Sequence, residues 1–287
     1  MSASDEVGLV WFRRDLRLND NPAWAAATSE RKAVVPLYVL DRRILDSVGP
    51  YRRRQLIANL QSLDYDLFEH TGGRLLVRYG DPTQLVPEAV KVFQAGGVYW
   101  NADVSPFAVR RDRNVEEQIE VPVTTPYGSL VLPPGSVRTA KGSLSKVFTA
   151  FHKVWKKTPW DEWPEAGDAM VLDDPGEPLP FLDGKPPFFE GEGEAHRRLE
   201  TFLEHVDRYS EDRNRVDLIG TSHLSADLRF GTLSPREVAT VVGDSSEPRE
   251  AFVRQLAWRD WFAHLLLEHP TMVNLSLIHI SEPTRPY

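Results

Sequence analysis

The 287-residue sequence has no cysteine. A disulfide framework, a cysteine-ligated zinc or iron–sulfur centre and a thiol nucleophile are all excluded, and a reducing, cytoplasmic setting is the expectation. No apolar run approaches the ~18 residues of a membrane span, so no membrane partner is expected. The opening Met1-Ser2-Ala3-Ser4-Asp5-Glu6 lacks the basic and apolar parts of a secretory leader. Positive charge is scarce too: 34 Lys and Arg face 42 Asp and Glu, for a formal net charge of −8. The deficit is local. Eleven acidic residues and one lysine lie between Asp161 and Glu194, which leaves +2 on the rest of the chain. An acidic total therefore leaves a nucleic-acid partner open without arguing for one.

What is present reads as two domains at this length. Short apolar runs predict buried strands at Val7–Phe12, Ala33–Leu40, Arg74–Tyr79, Gly97–Trp100 and Val121–Thr124. Helical spacing fills the gaps at Pro22–Thr28, Arg52–His70, Pro82–Ala95 and Pro106–Gln118, with Leu56, Leu60, Leu63 and Leu67 as the clearest stripe. Alternating strands and helices predict an α/β domain over residues 1–135, with an open parallel, Rossmann-like sheet. Ligands of such sheets sit outside the carboxyl ends of the strands, which singles out the loops Arg13–Asn21, Asp41–Pro50 and Asn101–Pro106. Residues 136–194, rich in Pro, Gly and acid, read as a surface-running linker. All-helical pattern returns at Ala195 and runs to about residue 273. Ser234-Pro235-Arg236-Glu237 marks a helix start, with Glu237 placed to close a capping box.

The chemistry-bearing motifs are few. No Gly-rich turn follows the first strand, so the common dinucleotide fingerprint is absent. Gly191-Glu192-Gly193 follows no strand and carries the wrong charge for a phosphate loop. His264 and His269, five apart, do not share a helix face, and no metal site is expected. The loop Trp11-Phe12-Arg13-Arg14-Asp15-Leu16-Arg17 suits either ion pairing of its arginines with Asp15 and Asp20 or ligand binding. Thr221-Ser222-His223-Leu224-Ser225 opens a helix that closes near Gly231. Its hydroxyls form either a plain N-cap or an anion cradle. Further on, Phe252, Gln255, Trp258 and Arg259 can share one broad helix face. That set suits either base stacking with edge hydrogen bonds or a core stripe with a snorkelling arginine.

These segments resemble the DNA photolyase/cryptochrome family from Val7 to about Thr271. The resemblance rests on Trp11–Arg17, Gly80-Asp81-Pro82, Tyr99-Trp100-Asn101, Lys146–Phe151, Gly220–Ser225, Phe230–Arg236 and Gln255–Asp260. It implies an α/β antenna domain, a long linker and the start of an all-helical FAD-binding domain at residues 195–273. Tyr209, Thr221, Ser222, His223, Leu224, Ser225, Phe252 and Arg259 would contact FAD. Trp258 and Gln255 would face the substrate, a flipped pyrimidine dimer in UV-damaged DNA, and Arg213 the DNA backbone. The implied reaction is light-driven: excited reduced flavin gives an electron to the dimer, the cyclobutane ring opens and the electron returns.

Two departures bear on detail. Gln255 stands where many cyclobutane-dimer enzymes carry glutamate, which keeps a (6-4) photolyase open beside a cryptochrome photoreceptor. Asn101–Pro106 lacks the glutamate of folate-binding relatives and looks nearer to those holding a deazaflavin. Arg52, Asn101 and Asp103 are the antenna candidates. After Thr271 the resemblance stops, and residues 274–287 match nothing in the family. The expectation is a truncated gene product carrying half of an FAD site, a monomer inactive alone. The remaining alternative is a small-molecule nucleotide-binding α/β protein with an unrelated helical appendage.

Overall fold

The computed structural model describes residues 6–160, 165–181, 184–186 and 190–274. The first half alternates as its hydrophobic pattern requires. It runs β1 (Val7–Phe12), α1 (Pro22–Glu30), β2 (Ala33–Leu40), α2 (Arg42–Ser47), α3 (Pro50–Thr71), β3 (Leu76–Tyr79), α4 (Pro82–Val92), β4 (Gly97–Tyr99), α5 (Pro106–Glu116) and β5 (Val123–Thr124). The strands pair in parallel in the order β3-β2-β1-β4-β5. Every β2 side chain is buried, because a parallel sheet is covered on both faces. Alternate β1 residues feed opposite cores. Val10 and Phe12 pack with Leu60, Leu63 and Leu67 of α3, while Leu9 and Trp11 pack with Val86 and Val90 of α4.

The second half runs α6 (Phe148–Trp155), β6 (Met170–Val171), α7 (Gly191–Leu203), α8 (Tyr209–Asp212), α9 (Ser225–Phe230), α10 (Pro235–Val242) and α11 (Glu247–Glu268). Residues 136–194 differ from a plain linker. Strand β6 pairs with Ala33 and Val34 of β2, while β3 pairs with Leu37–Leu40, and Pro36 falls in the gap where its missing N–H costs no ladder bond from that side. Helix α6 buries Phe148, Phe151 and Trp155 in a third core with Leu199, Phe202 and Phe252. Val131 and Leu132 join that core as well, so the end of the stretch assigned to the α/β domain packs with the helices. Ser234 caps α10, its hydroxyl accepting from the amides of Arg236 and Glu237. Glu237 instead accepts from His196 at 2.8 Å, so its carboxylate is committed to α7.

Candidate functional site

The loop after β1 is built by a buried polar network. Asp15 accepts the Arg13 amide at 2.7 Å and the Asn101 side-chain amide at 2.5 Å, and Asn101 also donates to Asn21 at 2.7 Å. Asn21 in turn caps α1. Asn101 is therefore a bolt between the end of β4 and the β1 loop, at 5% exposure, rather than a cavity wall. The arginines do not pair with Asp15 and Asp20 as their spacing allowed. Arg13 pairs with Asp112. Arg17, 1% exposed, donates to the carbonyls of Asn19, Asp20, Gly128 and Gly231 at 2.7–3.1 Å. Four carbonyl dipoles hold the charge, and burial still depresses its pKa.

Outside the carboxyl ends of β1 and β2 lies a cavity of about 740 Å³. Strand order reverses direction at β1, between β2 and β4, which is where α/β sheets open for ligands. Trp11, Phe12 and Tyr38 line it from the sheet, Tyr51 from α3, Phe107 from α5 and Phe230 from α9. Burial raises the Tyr38 phenol, so it stays protonated. Arg52 and Asp103, two of the three antenna candidates, line this cavity. Burial alone would push the Asp103 carboxyl up. The Arg14 guanidinium and the Ser105 amide outweigh it and hold the pKa below the ordinary value. Ser225 and Arg229 of α9 complete the wall, so the cavity is shared between the sheet and the helical segment. Its chemistry suits holding a planar aromatic molecule with polar edges.

The helical candidates fall into separate places. Tyr209 and Phe252 meet edge to face at 5.3 Å and both pack on Phe202. Arg213, exposed, lies 5.5 Å from the Tyr209 ring. Thr221, His223 and Ser225 are exposed, Leu224 is buried, and the Ser222 hydroxyl accepts the Leu224 amide at 3.4 Å. Arg259 donates to the carbonyls of Ser129 and Leu228, and burial and nearby Arg14 lower its pKa to about 10. Trp258 stacks on Phe148 at 3.7 Å and 12°. Gln255 points outward, donating to the Ala251 carbonyl. Phe252, Gln255, Trp258 and Arg259 lie on one continuous helix but in different surroundings, Phe252 buried, Gln255 exposed and Trp258 and Arg259 half-buried. Ser225 lines the cavity, which does not reach Gln255, Trp258 or Arg259. A dinucleotide flavin fits these residues in part. The exposed side chains of Thr221, His223 and Ser225 make no hydrogen bond among the described residues, which suits a phosphate, whereas Phe252 and Arg259 are engaged within the protein.

A family model described as DNA photolyase matches residues 8–168. The chain belongs to the DNA photolyase family. It is 31% identical, over 93% of its length, to a deoxyribodipyrimidine photo-lyase of Synechococcus, and covers 61% of that protein. Among solved structures it is similar to a class III photolyase of Agrobacterium tumefaciens, with a TM-score of 0.82, 25% identity, and coverage of 95% of this chain and 61% of that one. An archaeal photolyase of Sulfolobus tokodaii, solved with two FAD molecules, matches at a TM-score of 0.76 and 28% identity over 92% of this chain and 60% of that one. The chain thus spans about 61% of the length of these relatives.

Several residues with a place in this site carry no sequence signal that marked them. Arg229 and Tyr51 line the cavity from helices whose sequence shows only charge or an isolated aromatic. Asp260 was visible inside the motif Gln255–Asp260, but its role depends on partners more than 100 residues away.

Proposed function

We propose that the chain serves light-dependent DNA repair, the splitting of cyclobutane pyrimidine dimers. The observation that carries this reading is its alignment, over nearly its whole length, with a protein named deoxyribodipyrimidine photo-lyase. In this reading residues 1–135 hold an antenna pigment and the helical segment from residue 195 contributes to an FAD site. Thr221, Ser222, His223, Leu224 and Ser225 would hold the FAD phosphates, with Tyr209, Phe252 and Arg259 beside them. When bound and reduced, the flavin supplies the electron that opens the dimer. The chain's own part is recognition. Trp258 offers an indole face to the flipped bases, Gln255 an amide that both donates and accepts at their edges, and Arg213 a charge to the DNA backbone. The cavity beside β1 would hold the antenna as a planar heteroaromatic, with Arg52 and Asp103 at its polar edge.

The test is binding and repair of a duplex carrying one thymine dimer, by protein supplied with FAD. Tighter binding of this chain to the damaged duplex than to its undamaged twin, lost in Trp258→Ala, is the expected result, with repair under blue light and none in the dark expected of a protein of the relatives' full length, of which this chain covers 61%. Equal binding to both duplexes overturns repair and favours a photoreceptor of the cryptochrome kind.

A further inference from the structure

We propose that Phe148 is a positioning residue for base recognition: stacked on one face of Trp258, it presets the plane of the indole, whose other face takes a base flipped out of DNA. The inference rests on reading Trp258 as the platform for that base and adds the part played by α6.

The two rings lie 3.7 Å apart at 12°, and Phe148 is buried whereas Trp258 is half-buried. What remains exposed of the indole therefore lies away from Phe148. Helix α6 brings Phe148 there by its own pattern, since Phe148, Phe151 and Trp155 form its buried stripe at steps of three and four. Two hydrogen bonds fasten the α6 segment to α11 on either side of Phe148. Before it, the Ser145 carbonyl accepts the Trp261 indole N–H at 2.9 Å. After it, the Trp155 indole N–H donates to Asp260 at 2.8 Å. The Trp261 ring also meets Phe148 and Trp258 edge to face, at 5.8 and 5.2 Å. His152 stacks on Phe148 at 5.5 Å and 19°, and the Arg254 guanidinium lies 5.5 Å from the same ring. Neighbours other than Trp258 thus hold Phe148 in its plane.

A ring held in this way constrains the ring stacked on it. An indole free to turn about its side-chain bonds loses that freedom when a base stacks on it, and the loss weakens binding. An indole already fixed in the bound plane avoids that cost, which is the use of a supporting shell around a recognition residue. Stacking tolerates any base because every base has a flat face, but it needs a flat partner presented at the right angle. An aliphatic side chain of similar bulk would fill the place of Phe148 without setting that angle, because it has no plane of its own. The requirement is therefore for a ring and not only for volume. General attraction to duplex DNA comes from phosphate charge and does not depend on the angle of the indole.

The test is equilibrium binding of the chain to a fluorescent duplex carrying one thymine dimer and to its undamaged twin, read as the ratio of the two affinities. Phe148→Leu is expected to cut that ratio by about fivefold or more, while affinity for the undamaged duplex moves less than about twofold. Phe148→Tyr keeps the ring and should hold the ratio within about twofold of the wild type. An unchanged ratio in Phe148→Leu, a parallel fall of both affinities, or an equal loss in Phe148→Tyr overturns the positioning role. Should circular dichroism show that Phe148→Leu does not fold, Trp261→Phe takes its place. That variant keeps a ring against the pair, removes the bond to the Ser145 carbonyl, and should lower the ratio by about twofold or more, an unchanged ratio overturning the proposal. Equal wild-type affinities for the two duplexes would instead overturn the reading of Trp258 as a base platform.

Discussion

The Asp260 carboxylate accepts the Trp155 indole N–H at 2.8 Å, with both side chains at 2% exposure or less. Trp155 ends α6 and Asp260 lies in the middle of α11. The same carboxylate accepts the amides of Val131 and Leu132 at 3.2 and 2.9 Å. One acid thereby fastens the chain leaving the sheet, the α6 segment and the helix that carries Trp258. Its neighbour Arg259 binds the Ser129 carbonyl and the Leu228 carbonyl of α9. Consecutive residues thus hold donors and acceptors of one extended segment, and the position of Trp258 depends on both.

Asp260→Ala strands three buried donors, each of which costs about 1–3 kcal/mol without a partner. A loss of about 3–5 kcal/mol in urea unfolding is expected. A loss below about 1 kcal/mol would show that the three donors find other acceptors and that the carboxylate does not fasten these segments.

Acid titration should separate Asp260 from His264. Burial pushes the Asp260 carboxyl up to about 6, against hydrogen bonds from Trp155, Leu132 and Val131. Its ordinary value is 3.8, so the folded state takes up the proton first. The stabilisation from that uptake, on the order of 3 kcal/mol, is complete below the ordinary value and lost as pH rises through 6. His264 runs the other way. Burial lowers its pKa below 6.5, so its contribution is present above 6.5 and is lost as pH falls. Asp260→Asn removes the acid-side gain alone. Unfolding measured from pH 7 to pH 5 should therefore show the variant losing stability more steeply than the wild type. Parallel curves would contradict the raised carboxyl.

The sheet was legible because its strands are short, largely apolar runs and because α3 carries Leu56, Leu60, Leu63 and Leu67 on one stripe. Helix α2 and strand β6 were not, being six and two residues long and held by neighbours rather than by pattern. At the site, Arg52 and Asp103, candidates that came from the family resemblance, line one cavity, while Asn101 turns inward to Asp15. Helical spacing gave the angles of Phe252, Gln255 and Trp258 but not their surroundings. Phe148, more than a hundred residues earlier, covers an indole face that periodicity leaves open.

Gly231 should be the most sensitive glycine beside the cavity. It ends α9 in the left-handed region, at φ 74°, and a Cβ there would lie 2.1 Å from the Arg14 carbonyl oxygen and 2.5 Å from the Asp15 Cα. Gly72, which ends α3, has the same φ of 74° in the same left-handed region, with nothing within 4 Å of a Cβ there. Gly72→Ala should cost only the left-handed strain, about 1–2 kcal/mol. Gly231→Ala adds a backbone clash that pushes α9 from the β1 loop. It should lose more stability in thermal unfolding. Equal losses for the two variants would mean that α9 and the loop are not in firm contact.

Phe148 and Trp258 should be energetically coupled. Their rings stack at 3.7 Å and 12°, and Phe148 is 5% exposed. Aromatic pairs contribute about 0.5–1.5 kcal/mol beyond the area they bury. A double-mutant cycle with Phe148→Leu and Trp258→Leu keeps apolar bulk at both sites and isolates that part. The expected coupling in urea unfolding is about 1 kcal/mol. Phe148→Leu alone should also expose the indole face and raise the quenching of Trp258 fluorescence by acrylamide, measured against Trp258→Leu to subtract the other tryptophans. Zero coupling with unchanged quenching would show that the indole face is already free, and that a base could stack there without displacing Phe148.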